Sequence, residues 1–160
     1  MAAYIKFDGV DGEAQDKDHK GWSDLASFSQ GLMQPGSSST GATRRRGDVI
    51  LDDISASKEL DKASPKIAEA VCKGKVFPKV EIHLTASYTD AGRVTYYAYE
   101  LKNVLVSSYH ISGSGQSEDV PMEDFALNFE EIKVTYTEAD DKGNKKGNVE
   151  YAWKVEAGEA

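Results

Sequence analysis

The sequence predicts a mainly β fold, a closed β-barrel of about eight or nine strands with one short flanking α-helix. Three observations predict it. Apolar and polar residues alternate at period two through most of the chain, the pattern of strands with one buried face. Two long segments change phase part-way along, as strands do in a strongly curved sheet. A single stretch carries both the start and the stop signals of a helix.

Residues 4–8 read as a short strand, with apolar or aromatic residues set against Lys6, and residues 8–19 as a polar turn region. A second strand runs from Ser23 to about Met33, with Ala26 and Phe28 on one side and Leu25 on the other. Residues 34–47 (QPGSSSTGATRRRG) are a Ser/Gly/Thr-rich loop, and loops of that length in compact domains are functional or mobile. Ile50, Ile54 and Ala56 fall in phase over a strand at 49–57. Ser64 as N-cap, Pro65 at the first helical position and Gly74 just past the end delimit the helix. Ile67, Ala70 and Val71 form its buried stripe.

Val80, Ile82, Leu84, Ala86 and Tyr88 alternate cleanly into a hairpin turn at 89–92. The returning strand changes phase: Tyr97, Tyr99 and Leu101 share one face, whereas Val104 and Val106 share the other. Phe125, Leu127 and Phe129 are likewise out of step with Ile132, Val134 and Tyr136, which predicts a bulge at Glu130 and Glu131. After a turn at 140–144, Val149, Tyr151, Trp153 and Val155 make the last strand.

A length of 160 residues fits one domain over 1–160 with a core of its own. The net charge of −8 argues against a nucleic-acid partner, since phosphate binding needs a basic surface. The charge is uneven: residues 1–80 hold 12 Lys/Arg and 12 Asp/Glu, residues 81–160 hold 7 and 15. Two readings fit, simple solubility or an acidic surface that meets a less acidic one in head-to-tail self-association. One cysteine, Cys72, rules out an internal disulfide and a Cys-based zinc cluster. The N-terminus MAAYIKFD has no apolar signal core, and no stretch is long enough to span a bilayer. Folding in the cytoplasm, without a signal peptide or membrane insertion, is the expectation.

The Ser/Gly loop at Ser112, Gly113, Ser114 and Gly115 invites a catalytic or phosphate-binding reading, and its surroundings argue against both. It lies between two strands, so no nucleophile elbow forms. Glu118 stands where a dinucleotide fingerprint needs its third glycine, and Glu118, Asp119, Glu123 and Asp124 would repel phosphate. His19, near Asp16 and Asp18, matches no metal-ligand spacing. His83 is expected to face solvent or an interface, and His110 follows serines without an elbow. No catalytic residue, cofactor site or metal site is predicted. Arg44, Arg45 and Arg46 read either as loop solvation or as a basic finger pairing two-pronged with the acidic 118–124 region of another subunit.

The series DGEAQDKDH (11–19), SFSQG (27–31), LDKASP (60–65), VLVSSY (104–109), SGSG (112–115) and LNF (127–129), in this order, resembles the Hcp (haemolysin co-regulated protein) family of the type VI secretion system. The resemblance runs from Tyr4 to about Trp153; Gln30, where the family often has an aromatic residue, and the arginine run depart from it. It implies a structural, non-catalytic tube subunit with a phage tail-tube-like barrel. Homohexameric rings of such subunits stack into a tube expelled by a contractile sheath, tipped by a VgrG-type spike and carrying effectors in its lumen. It also implies secretion by the type VI route, with the 34–47 loop reaching toward the next ring. The candidate ring-stacking and subunit-interface residues are then Gln34, Pro35, Thr43, Arg44, Arg45, Arg46, Ser112, Gly113, Ser114, Gly115, Glu118, Asp119, Glu123 and Asp124. Lys79, Glu81, His83 and Thr85 alternate as suits a wet lumen or outer wall. From the residues alone, a small soluble ligand- or carbohydrate-binding β-domain without catalytic activity stays open.

Overall fold

Period-two alternation puts most of this chain into antiparallel strands, seen in a computed structural model that describes residues 1–34, 49–89 and 91–155. In chain order the elements are β1 (Ala2–Phe7), β2 (Ser23–Leu25), β3 (Ser27–Ser29), β4 (Leu32–Met33), β5 (Ile50–Leu51), β6 (Ile54–Glu59), α1 (Ser64–Lys73), β7 (Val76–Tyr88), β8 (Gly92–Ser112), β9 (Met122–Ala139) and β10 (Lys145–Lys154). The main sheet runs β2-β1-β7-β8-β9-β6-β3, and β10 pairs with β9 beside that path. Strand β9 serves two partners in succession: β6 along Met122 to Leu127, then β10 from Glu131 to Ala139.

The predicted closed barrel is corrected to an open, curled sheet among the described residues. Its end strands β2 and β3 share no ladder. The reason is local. They are consecutive, with only Ala26 between them, so the chain cannot fold back to pair them. Ala26 instead donates its N–H to the Ser57 carbonyl at 2.8 Å, carrying the chain from the β1 side to the β6 side. The single strand expected over 23–33 is therefore three short ones, and that expected over 49–57 is two. β4 and β5 pair as a separate two-stranded sheet. No helix among the described residues is long and apolar enough to cross a membrane.

The inner face holds the core, including Ile5, Phe7, Phe77, Val80, Ile82, Leu101, Val104, Leu127 and Ile132, each at most 2% exposed. Phe7 meets Phe77 and Phe125 with ring centroids 5.2 and 5.7 Å apart, adding tilted and edge-on ring contacts to the area buried. The expected phase slips are present, but not as a one-sided bulge. Glu130 and Glu131 both point away from the core while Phe129 and Ile132 point in, and across the ladder Lys102 and Asn103 do the same. The register is kept because both strands slip together. Asn103, at φ 52°, absorbs the turn, a left-handed conformation that Asn tolerates better than most residues, and it donates to Glu130 Oε2 at 2.8 Å. One-sided register shifts lie instead at Leu84/Thr85 and Val106/Ser108.

Helix α1 forms where expected and ends on Gly74 at φ 62°, with Gly74 and Lys75 N–H groups closing on the Val71 and Ala70 carbonyls. Its start differs from expectation. Ala63 is the N-cap residue and no side chain caps it; Ser64 Oγ instead donates to Glu123 Oε1 at 3.0 Å. Residues 8–22 are also more than a turn. They lie as a strap against β1 and β7, with Gly12 N–H on the Gly21 carbonyl (2.8 Å), Ala14 N–H on the Trp22 carbonyl (2.8 Å) and Lys6 Nζ on the Val10 and Gly21 carbonyls. The close approach of its two limbs requires glycine at position 12, since a Cβ there would collide with Ser23 Oγ and stand 2.5 Å from the Trp22 carbonyl oxygen. Gly12→Ala is expected to cost about 1–3 kcal/mol by this overpacking, read as a lower urea midpoint with an unchanged slope.

Candidate functional site

The Ser/Gly turn forms the rim between β8 and β9. Ser112, Gly113, Ser114, Gly115, Glu118 and Asp119 are all exposed. Short local bonds shape it: Ser117 N–H to the Ser114 carbonyl at 3.1 Å and Asp119 N–H to Ser117 Oγ at 3.1 Å. Pro121 anchors its end through the Leu60 N–H at 3.1 Å. The turn presents hydroxyls and carboxylates on an exposed surface.

The two acidic residues that follow behave differently from the rim. Asp124 is on the outer face, where it accepts the Ser57 hydroxyl. Glu123 points inward and is fully buried, so it is removed from the expected surface set. Its carboxylate pairs with Lys58, itself fully buried, and accepts from Ser64 and from the Tyr109 hydroxyl. Lys58 also reaches Asp61 Oδ1 at 2.7 Å. Burial, followed by the hydrogen bond to Glu123, pushes the Tyr109 hydroxyl above its ordinary range. This cluster ties β6, β8, β9 and the start of α1 together.

Gln34 follows β4 and lines an apolar hollow of about 360 Å³ with Leu32, Val49, Leu51, Tyr151 and Trp153. Pro35, Thr43, Arg44, Arg45 and Arg46 lie outside the described residues. The structure thus brings Ser112 to Asp119 into one rim and leaves the pairing of that rim with the arginines as a proposal.

Two features escaped the sequence reading. On the outer face of β3, β6, β9 and β8, the register sets Ser27, Ser57, Asp124 and His110 in one row and Ser29, Ser55, Ala126 and Ser108 in the next. They line a hollow of about 280 Å³. The alternating serines at 27/29 and 55/57 were its available signal. Ser57 donates straight to the Asp124 carboxylate, so no imidazole stands between them to activate a nucleophile. Among the described residues, no group of three or more His, Cys, Asp or Glu could hold a metal ion.

The second feature is a histidine pair. His83, expected at solvent or an interface, is half-buried beneath the strap, with Nδ1 3.0 Å from Nε2 of the buried His19. Thr85 is buried too, bonding the Ala2 carbonyl at 3.2 Å. The polar row is therefore exposed only at Lys79, with Glu81 half-buried like His83. No sequence signal linked His19 to His83.

Residues 4–136 match the family described as type VI secretion system effector, Hcp. The chain belongs to the Hcp family. Hcp1 of Pseudomonas aeruginosa is 35% identical over 153 residues, covering 95% of this chain and 93% of that protein. A solved structure described as a type six secretion system protein superposes with a TM-score of 0.89 at 28% identity, covering 99% of this chain and 98% of the other. Hcp1 from Salmonella typhimurium shares the fold, with a TM-score of 0.78 at 22% identity and coverage of 99% and 97%. This Hcp is a type VI secreted protein and a tube subunit, and a ligand-binding β-domain is not favoured.

Proposed function

We propose that six copies of this Hcp close head to tail into a ring, and that rings stack into a hollow tube within a contractile sheath. A VgrG-type spike tips the tube and effector proteins ride in its lumen. Residues 1–160 act as one domain, assembled in the bacterial cytoplasm and exported by the type VI route. The role is mechanical rather than catalytic.

The observation that carries this reading is the whole-length likeness to a type VI secretion protein at a TM-score of 0.89. The chain's own surfaces support it. A closed ring of identical subunits needs two different complementary faces. Among the described residues β10 pairs on one side alone, with β9, and it exposes Val149 (75%) and Tyr151 (43%). Such an edge is an aggregation hazard on a lone molecule and a pairing surface in an assembly. For stacking, Ser112 to Asp119 and Asp124 offer one contact surface, and Gln34, Pro35, Thr43 and the three arginines are its candidate partners on the next ring.

Native mass spectrometry with negative-stain imaging of the purified protein tests this. Closed rings of six subunits are expected, joining into tubes at higher concentration. A strict monomer at every concentration would overturn it.

A further inference from the structure

The strap between β1 and β2 is fastened to the sheet by a row of four titratable side chains. Asp16 Oδ2 stands 2.5 Å from His19 Nδ1, His19 Nε2 stands 3.0 Å from His83 Nδ1, and His83 Nε2 stands 3.4 Å from Glu81 Oε2. Asp16 and His19 belong to the strap, whereas His83 and Glu81 belong to β7. The two rings meet nearly at right angles, 88°. Tyr4 stacks on His19 at 4.5 Å, and the Trp22 ring covers both histidines at 4.8 and 4.4 Å. His19 is 3% exposed, so these neighbours stand where water would otherwise be.

Counting protons along this row gives its state. An ionised carboxylate only accepts, so His19 Nδ1 carries hydrogen toward Asp16, and a hydrogen on His83 Nε2 is what turns its 3.4 Å approach to Glu81 from a lone-pair repulsion into an attraction. The nitrogen-to-nitrogen contact between the rings needs one hydrogen more. Three protons on the four ring nitrogens satisfy every contact, one more than two neutral imidazoles carry. We propose that His19 and His83 share a single extra proton, held between Asp16 and Glu81, and that this proton clasps the strap onto β7.

The surrounding charges are compatible with that arrangement. Arg93 Nε of β8 lies 3.5 Å from Asp16 Oδ1, and Lys79 lies 3.1 Å from Glu81 Oε1. Asp24 of β2 and Glu100 of β8 stand across the ladders from Tyr4 and Glu81, and Lys6 of β1 is paired with Asp11. The hydrogen bond from His19 is the main cause that holds the Asp16 carboxyl below the usual carboxylate range, opposed by burial. Glu81 is held at about 2, chiefly by its bond from His83 and then by Lys79, again against burial. Both carboxylates therefore stay ionised throughout the interval in which histidine changes charge. Taking the shared proton away leaves two hydrogens for three contacts. Either a lone pair then faces a carboxylate, or two lone pairs face each other between strap and sheet.

The sign follows. The clasp is closed while the shared proton is held and opens when higher pH removes it. Asp11, Gly12, Glu13, Gln15 and Lys20 of the strap also line a polar hollow of about 550 Å³ against Lys62, so opening the clasp frees one wall of that hollow. The device belongs to the single subunit and does not depend on ring formation.

Two measurements on the full chain test it. Long-range ¹H–¹⁵N NMR at about pH 6 should count three ring N–H groups on His19 and His83 together. Amide exchange corrected for intrinsic rate should show protection over residues 14–22 falling about tenfold between about pH 6 and about pH 9, with the β8–β9 core unchanged. His83→Gln, whose amide donates and accepts without titrating, should show no such fall. Two ring N–H groups, an unchanging wild-type strap, or a variant that opens with pH as the wild type does would each overturn the proposal. If the glutamine variant is open at both pH values, the wild-type proton count decides.

Discussion

Replacing Glu123 by alanine is expected to destabilise the protein by about 3–5 kcal/mol, the cost of leaving a buried charge without its partner. Lys58 and Glu123 are both 0% exposed. Once the carboxylate is gone, the Lys58 ammonium keeps Asp61 at 2.7 Å and the Glu59 carbonyl at 3.2 Å. It cannot reach water without moving β6 or the start of α1. Ser64 and Tyr109 lose their shared acceptor in the same step. A native domain of this size has about 5–15 kcal/mol in all, so urea unfolding should show a midpoint much below wild type. Thermal unfolding should show a Tm lower by roughly 10 °C. Wild-type stability would mean that the pair is hydrated in solution.

Removing both charges should behave differently. Lys58→Met with Glu123→Leu replaces the ion pair by apolar volume and is expected to recover part of the loss: the desolvation of the Lys58–Glu123 pair is no longer required, while Asp61 loses its bond from Lys58 and keeps the Ala63 N–H. A stability between those of wild type and Glu123→Ala is the expected result, since the orphaned ammonium is gone and Asp61 has lost its ion partner. Glu123 thus anchors the helix, and its place in an acidic run gave no hint of that.

How far the fold was legible follows from this residue and its neighbours. Helix α1, the long hairpin of β7 and β8, and the paired phase slips near Asn103 and Glu130 are local consequences of alternation and of proline and glycine placement. They could be read directly. Closure could not, because it depends on whether the strands at residues 23–29 meet across the sheet, and Ala26 decides that through one hydrogen bond to Ser57. Glu123 lies in an apparently solvent-facing run, and its inward direction is set by register against β6 and β8. The histidine pair joins residues 64 apart in sequence, beyond the reach of any periodicity. The family was legible because many short matches kept their order, whereas assembly contacts depend on surfaces brought together from separate subunits.

Those contacts are open to a charge swap. If Arg44, Arg45 and Arg46 pair with the acidic rim of a neighbouring ring, reversing all three to glutamate should abolish stacking while leaving the single subunit folded. The change takes the net charge from −8 to −14, two units at each of three positions. Loss of assembly alone could then reflect general repulsion between more acidic subunits. The restoring partner removes that ambiguity. Glu123 is buried and Asp124 is engaged by Ser57, so the exposed carboxylates left to meet the arginines are Glu118 and Asp119. Adding Glu118→Lys and Asp119→Lys to the triple variant brings the charge to −10, still more acidic than wild type. Stacking should nevertheless return, since every subunit then offers an acidic loop to a basic rim. Sedimentation and negative-stain imaging read the outcome. Tubes in the five-fold variant but not in the triple one would place the contact at this rim, whereas tubes in the triple variant would remove the arginines from the interface.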